Sequence, residues 1–262
     1  MLTLITSSYK SEKYLKRYAA KITKAGDFLV GKIDFEFIVI ANSPTKKEIE
    51  IFESLKKNKW FSYVEVPRES VFCSINRGIN IAKGDVVGLW NVDDVRYPES
   101  LIDGLRLMNE GANVVYFPFV IEWFLNLFGF NFLIRRKIIK PPLFDREKFI
   151  RGMHCGPFFL IRKDFFKQIG PFDEQFKVAG DFDWCVRATK ISDKFSLSEK
   201  IGGEFRVDGG GLSAGGRAMH FAENNIVSRR HGMEDKVVPG YENEEAGLRV
   251  DKIKFNGEYI DF

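Results

Sequence analysis

Residues 89–98, Leu-Trp-Asn-Val-Asp-Asp-Val-Arg-Tyr-Pro, carry an apolar strand straight into two adjacent acids. The strand Val86 to Trp90 should end at Asn91, and Pro98 suits the first turn of a following helix, where a missing N–H costs nothing. Asp93 and Asp94 therefore fall on a loop at the carboxyl end of a strand, the edge where open α/β sheets bind ligands. Paired acids there can hold a divalent cation, Mg²⁺ or Mn²⁺, against substrate phosphates. They serve equally well as caps for the helix near Pro98, and the local sequence does not separate the two roles.

Upstream of this loop, strand and helix patterns alternate. Leu2 to Thr6 reads as a strand, followed by a helix from Ser11 with Tyr14, Leu15, Tyr18, Ala19 and Ile22 on one face and a stop at Gly26. Phe35 to Ile40 is a second strand, and Ser43-Pro44 opens a helix carrying Ile49, Phe52 and Leu55. Phe61 to Val66 is a third strand, and a helix over Val71 to Lys83 ends at Gly84. With a helix from Pro98 to Gly111, residues 1–111 form a βαβαβ nucleotide-binding half with a parallel sheet and right-handed crossovers.

Residues 112–231 are less regular, with short strands and helices near Lys163 to Ile169, Phe182 to Lys190 and Arg217 to Arg230. No linker separates the halves, so one domain over 1–231 is expected. In the charged tail, 232–262, Asn256-Gly257 has the composition of a hairpin turn, although the segment reads equally as frayed or partner-dependent.

The chain has 262 residues and 45% hydrophobic content, enough to fill a core, and its 26 phenylalanines point to an aromatic one. A net charge of +4 spread over scattered basic residues argues against nucleic acid as a partner. Cys73, Cys155 and Cys185 show neither metal spacing nor a disulfide pattern, and Met1 leads at once into a strand rather than a signal peptide. A cytoplasmic, reducing setting is expected.

Ala112 to Ile134 is long and apolar enough to span a membrane, but it contains Pro118, Glu122 and Gly129. A buried strand followed by a helix or loop is the preferred reading. Because Arg135, Arg136, Lys137 and Lys140 follow, residues 124–140 also suit peripheral contact with the inner face of a membrane.

A second acidic pair, Asp181 and Asp183, lies where a loop enters a helix. One carboxylate there can act as a general base and the other can cap. The run Gly209 to Gly216 precedes a helix and can receive an anion, but it lacks the Gly-Lys-Ser/Thr ending of a P-loop. His154 and Cys155, adjacent in sequence, are poorly placed as a nucleophile pair and read as a loop with a buried thiol. His220 and His231 fall on a helix.

In this order the segments resemble family 2 glycosyltransferases of the GT-A fold. The opening Leu-Ile-Thr-Ser-Ser-Tyr-Lys-Ser-Glu-Lys-Tyr-Leu is similar to the family's first strand and helix, with Ser8 and Tyr9 where the nucleotide base is met. Asn76-Arg77-Gly78 and Ala82-Lys83-Gly84 resemble its "NRG…AKG" segment, and Asn91-Val92-Asp93-Asp94 falls at its DXD-type motif. Gly156 to Glu174 resembles the acceptor-side segment, Gly180-Asp181 stands at the base motif, and Phe205 to Asp208 with Gly210 to Ser213 is similar to the late loop that approaches the diphosphate.

The resemblance implies an α/β fold with a Rossmann-like, mostly parallel central sheet flanked by helices and an irregular acceptor-side second half. It implies metal-dependent, inverting transfer from a nucleotide-diphosphate sugar to a hydroxyl of a glycan or lipid-linked acceptor. Asp93 and Asp94 would hold the metal, Asp181 (or Asp183) would be the base, and Arg206 would stabilise the leaving group. Ser8, Tyr9, Asn42, Arg77, Asn91 and Ser213 would complete substrate binding.

The chain departs from the family at Ala41-Asn42, where an acid pair usually meets the base, at Asn91 in place of the first DXD acid, and at Gly180 in place of a Glu. A neutral Asn can still bond a ribose hydroxyl, so these changes read as altered donor preference. They also admit a second class, an inactive homologue acting as a binding or scaffold subunit. A nucleotidyltransferase would need a glycine-rich loop after the first strand, and Thr6 to Lys10 has no glycine.

Overall fold

A computed structural model describes residues 1–127, 130–209 and 216–262. The first half runs β1 (Leu2–Ser8), α1 (Glu12–Leu29), β2 (Phe35–Asn42), α2 (Lys46–Leu55), β3 (Phe61–Val66), α3 (Val71–Ile81) and β4 (Val86–Leu89). Next come β5 (Val95–Arg96), α4 (Pro98–Asn109), β6 (Val114–Tyr116), β7 (Phe119–Leu127), β8 (Phe130–Ile139), α5 (Arg146–Ile150), β9 (Leu160–Arg162) and α6 (Lys163–Ile169). The chain continues through α7 (Gly180–Ile191), β10 (Phe195–Leu197), β11 (Gly203–Val207), α8 (Arg217–Arg230), α9 (Glu242–Glu245), β12 (Lys252–Phe255) and β13 (Glu258–Asp261).

The main sheet has the order β10-β6-β9-β4-β1-β2-β3, and β9 alone runs antiparallel to its neighbours. Its central strands β1, β2, β4 and β6 are buried on both faces, as parallel strands covered by helices must be, whereas the edge strand β3 is partly exposed. Along β2, Phe35, Phe37 and Val39 enter one core with Leu15, Tyr18, Phe52 and Leu101, while Ile38 and Ile40 enter the other with Phe72, Phe159 and Trp184. Four phenylalanine rings, Phe159, Phe165, Phe166 and Phe172, surround Trp184 at centroid distances of 5.7 to 6.5 Å. That cluster carries α7 on its back.

Three local expectations need correction. Gly26 does not stop α1, which continues to Leu29. A Cβ at Gly26 would lie 2.2 Å from the Trp60 ring, so this glycine permits close packing. The cap of α2 is Thr45, in a reciprocal box with Glu48, and not Ser43.

The third correction concerns the segment after β6. Instead of a helix or loop, β7 and β8 form a long antiparallel hairpin within a second sheet of order β5-β11-β7-β8. Among the described residues no helix is long and apolar enough to cross a membrane.

At the other end of the chain, β12 and β13 pair across Asn256 and Gly257, both at positive φ. The hairpin is docked: Asp173 accepts the N–H of Lys254, and Arg230 donates to the carbonyls of Arg249, Val250 and Lys252.

Candidate active site

β4 delivers Asn91 to Asp94 at the carboxyl edge of the sheet, beside the end of β1, where Trp90 N–H donates to Ile5 O. The loop closes on itself. Asp94 N–H donates to Asn91 O, and the Asn91 amide donates to Asp94 Oδ2 at 3.0 Å. Asp94 Oδ1 accepts the backbone N–H of Arg206 at 3.0 Å, which ties the loop to β11. Beneath it, buried Arg96 donates to the carbonyls of Leu89 and Phe158.

The two acids are therefore not equivalent. Asp94 is 2% exposed and turned inward, with burial and the neighbouring Asp93 charge raising its pKa to about 8. Asp93 is partly exposed, and burial followed by the nearby Asp208 charge raises its pKa as well. Asp208, which sequence reasoning did not single out, accepts the Tyr14 hydroxyl proton, with Tyr14 Oη 2.8 and 3.0 Å from its two oxygens, and a bond from Arg206 Nε. Arg206 lies 3.8 Å over the ring of Phe124, so its guanidinium is held flat beside these acids.

Among the described residues no group of three or more His, Cys, Asp or Glu is arranged to hold a metal ion. What the loop offers is Asp93 with Asp208 nearby: hard oxygen donors, with Asp93 destabilised as an anion by burial and by the like charge. That chemistry fits a divalent cation completed by water and phosphate oxygens.

Among the base-binding candidates, Ser8 is buried at the end of β1 and Tyr9 is exposed, with Arg68 at 4.9 Å and Lys10 at 5.4 Å from its ring centre. Glu48 fixes this loop by accepting the N–H of Ser11 at 2.6 Å while it also closes the cap of α2. Asn42, next to Ala41 of β2, the register partner of Ser8, and Arg77 on α3 are both already bonded within the protein. The Asn42 amide is 1% exposed and spends itself on Ser74 Oγ and the N–H of Glu69, whereas Arg77 makes a two-nitrogen contact with the Glu69 carboxylate. Ser213 lies outside the described residues.

On the same edge, α7 begins at Gly180. A Cβ there would lie 2.7 Å from the Phe72 ring, so the position has no room for the family's Glu. Asp181 Oδ1 accepts the N–H of Phe182 at 2.8 Å, and burial raises its pKa to about 6, with the nearby Glu223 charge adding to the rise. Glu223, also missed in the sequence, sets the loop by accepting the N–H groups of Lys177, Val178 and Ala179. Asp181 borders a cavity of about 390 Å³ whose walls include Met153, Phe182, His220, Phe221 and Asn224.

Asp183 sits two residues on in a different environment. Its unexposed carboxylate meets Arg187 and Arg230 at 2.9 Å and His231 at 3.2 Å, and these partners pull its pKa well below the usual range despite burial. With its oxygens committed and no access to substrate, it holds α7 to α8, which leaves Asp181 facing the cavity.

The mostly parallel sheet flanked by helices, with the loops after β1 and β4 on one edge, has the GT-A type of α/β architecture. The sequence pattern of the family described as "Glycosyl transferase family 2" matches residues 3–170. The chain is 24% identical over 214 residues, 79% of its length and 71% of the relative's, to the "Uncharacterized glycosyltransferase MJ1057" of Methanocaldococcus jannaschii. S. aureus TarS 1-349 in complex with UDP-GlcNAc superposes with a TM-score of 0.68 at 17% identity, over 94% of this chain and 73% of that one. The mannosyltransferase PcManGT of Pyrobaculum calidifontis, in complex with GDP-Man and Mn²⁺, gives 0.64 at 13% identity, over 90% and 68%. The chain belongs to glycosyl transferase family 2, and the protein is a glycosyltransferase.

Proposed function

We propose that the protein moves a sugar from a nucleotide-diphosphate sugar to a hydroxyl of a glycan or lipid-linked glycan, with inversion and with a divalent cation. The observation that carries this reading is Asp181: a carboxylate at a cavity wall, one oxygen fixed by Phe182 N–H and its pKa raised to about 6. Such a group is ionised at neutral pH yet basic enough to take a proton. Inversion itself is carried over from the family.

Asp181 removes the proton from the acceptor hydroxyl as that oxygen bonds to the anomeric carbon and the bond to the diphosphate breaks. The acceptor occupies the cavity, with Phe182 and Phe221 as apolar walls and Asn224 as a polar contact. Asp93, with Asp208 beside it, would hold Mg²⁺ or Mn²⁺, and Asp94 orients Asn91 and β11. When bound, the cation offsets charge on the departing diphosphate. Arg206 adds a fixed positive charge there, held by Phe124 and Asp208.

Tyr9 offers a ring on which a nucleobase stacks, and the Asn91 oxygen accepts from a ribose hydroxyl. The UDP-GlcNAc and GDP-Man complexes of the structural neighbours support a donor of this chemical class, and the Mn²⁺ in one of them supports the cation. Three free cysteines fit a reducing, cytoplasmic setting.

The test is a screen of UDP-, GDP-, dTDP- and CMP-sugars for Mn²⁺- or Mg²⁺-dependent binding and slow donor hydrolysis. Metal-dependent binding of at least one diphosphate donor is expected. Binding of none would sink the proposal.

A further inference from the structure

The hairpin of β7 and β8 extends beyond the body of the protein. Five residues from Trp123 to Leu127 span about 16 Å of strand. Pairing of Leu127 with Phe130 and of Leu125 with Phe132 puts these four side chains on one face near the tip. They are 45, 69, 45 and 52% exposed respectively, and Leu133 and Ile134 are 50 and 62% exposed. Contiguous apolar surface of this kind marks an interaction site.

Basic residues follow directly behind it. Arg135 lies over Trp123, Arg136 is neutralised by Glu204 and Glu122, Lys137 stands exposed further along β8, and Lys140 is exposed just past its end. The order along the hairpin is thus apolar tip, then cationic collar.

The edge of β8 is guarded against pairing with a second copy of the chain. Ile134 is bulged out between the pairs Trp123 with Arg135 and Phe124 with Leu133, which twists the edge. Arg135, Arg136 and Lys137 in succession would meet like charge on an identical edge. An apolar tip under a basic collar complements a different surface, hydrocarbon beneath anionic headgroups.

We propose that the β7–β8 hairpin docks the enzyme on an anionic bilayer, Leu125, Leu127, Phe130 and Phe132 entering the acyl boundary and Arg135, Lys137 and Lys140 lying at headgroup level. Phe124, in the same strand as Leu125 and Leu127, contacts Arg206, so docking sets the Asp93, Arg206 and Asp208 cluster on the membrane-facing side. The proposal goes beyond the transfer chemistry and does not depend on it.

Flotation of the full chain with phosphatidylglycerol/phosphatidylcholine vesicles and with pure phosphatidylcholine vesicles, at low and high salt and without donor, tests it. Binding to the anionic vesicles, weakened by salt, is expected. A basic side chain near such a surface is worth about fivefold in partitioning, so Lys137→Glu with Lys140→Glu should reduce binding more than about 25-fold. Phe130→Ser with Phe132→Ser should reduce it more than about tenfold at low salt, with an unchanged circular dichroism spectrum.

Absence of flotation at low salt would overturn the proposal, as would full binding by the Phe130→Ser, Phe132→Ser variant. Sedimentation of the same variant covers the remaining occupant. A wild-type dimer that this change dissociates, with no flotation, assigns the face to a second copy instead. Nucleotide binding, measured separately without vesicles, reports on the transfer reading alone.

Discussion

The Asp94 carboxylate accepts the backbone N–H of Arg206 at 3.0 Å across 112 residues of sequence, joining the loop after β4 to β11. Its neighbour Asp93 has no such duty, so substitution should separate the two. Asp94→Ala strips bonds from buried groups and should cost about 1–3 kcal/mol, a fall of several degrees in Tm. Asp93→Ala should leave Tm within a degree or two, or raise it, while abolishing metal-dependent donor binding. Differential scanning fluorimetry beside donor titration reads both effects.

The metal-free loop carries its own pH signature. Asp94 is raised to about 8 and Asp93 is raised too, so both favour the protonated form in the folded state. Their contribution to stability is present at low pH and is lost as pH rises through the folded value of Asp94, near 8. Mn²⁺ or Mg²⁺ should therefore raise Tm more at pH 8.5 than at pH 6, because ligand binding to the folded state stabilises by mass action. In Asp93→Ala that pH-dependent gain should disappear.

Asp181 and Asp183, two residues apart, should respond oppositely to amide substitution. The folded pKa of Asp181 is raised from 3.8 to about 6, so its contribution is complete below pH 3.8 and declines as pH rises through 6. Asp181→Asn should then be more stable than wild type at pH 7, by up to about 3 kcal/mol. Asp183 is depressed by Arg187, His231 and Arg230, so its contribution is present above pH 3.8 and fails only in stronger acid. Asp183→Asn leaves buried cations undercompensated and should cost about 3–5 kcal/mol at pH 7. Urea denaturation at pH 7 checks the pair.

Gly180 gives a packing test of the family departure. Gly180→Ala places a methyl against the Phe72 ring and should cost about 1–3 kcal/mol. Adding Phe72→Leu should recover part of that loss, although Phe72→Leu alone is destabilising. A double-mutant cycle that shows simple additivity would contradict the assigned contact.

The first half of the fold is legible in the sequence because β1, β2 and β4 are buried on both faces and read as short apolar runs between capped helices. Asp93 and Asp181 draw attention in the sequence for a different reason: one is an acid just after a strand and the other an acid in the first turn of a helix. The arm of β7 and β8 is not legible there, since an exposed apolar hairpin has the same composition as a buried segment. Nor are Asp208 and Glu223, whose importance rests on partners far away in sequence, Tyr14 lying 194 residues from Asp208 and Lys177 lying 46 from Glu223. Asn42 and Arg77 stand at family positions, but here Glu69 and Ser74 take up their bonding groups.

The most direct measurement of the central claim is the transfer rate and donor affinity of Asp181→Asn, taken with the pH dependence of kcat/KM in the wild type. The rate should fall about 10²–10⁴-fold with donor affinity nearly unchanged, and wild-type kcat/KM should rise with pH through about 6 before levelling. Transfer at the wild-type rate by Asp181→Asn would contradict the account.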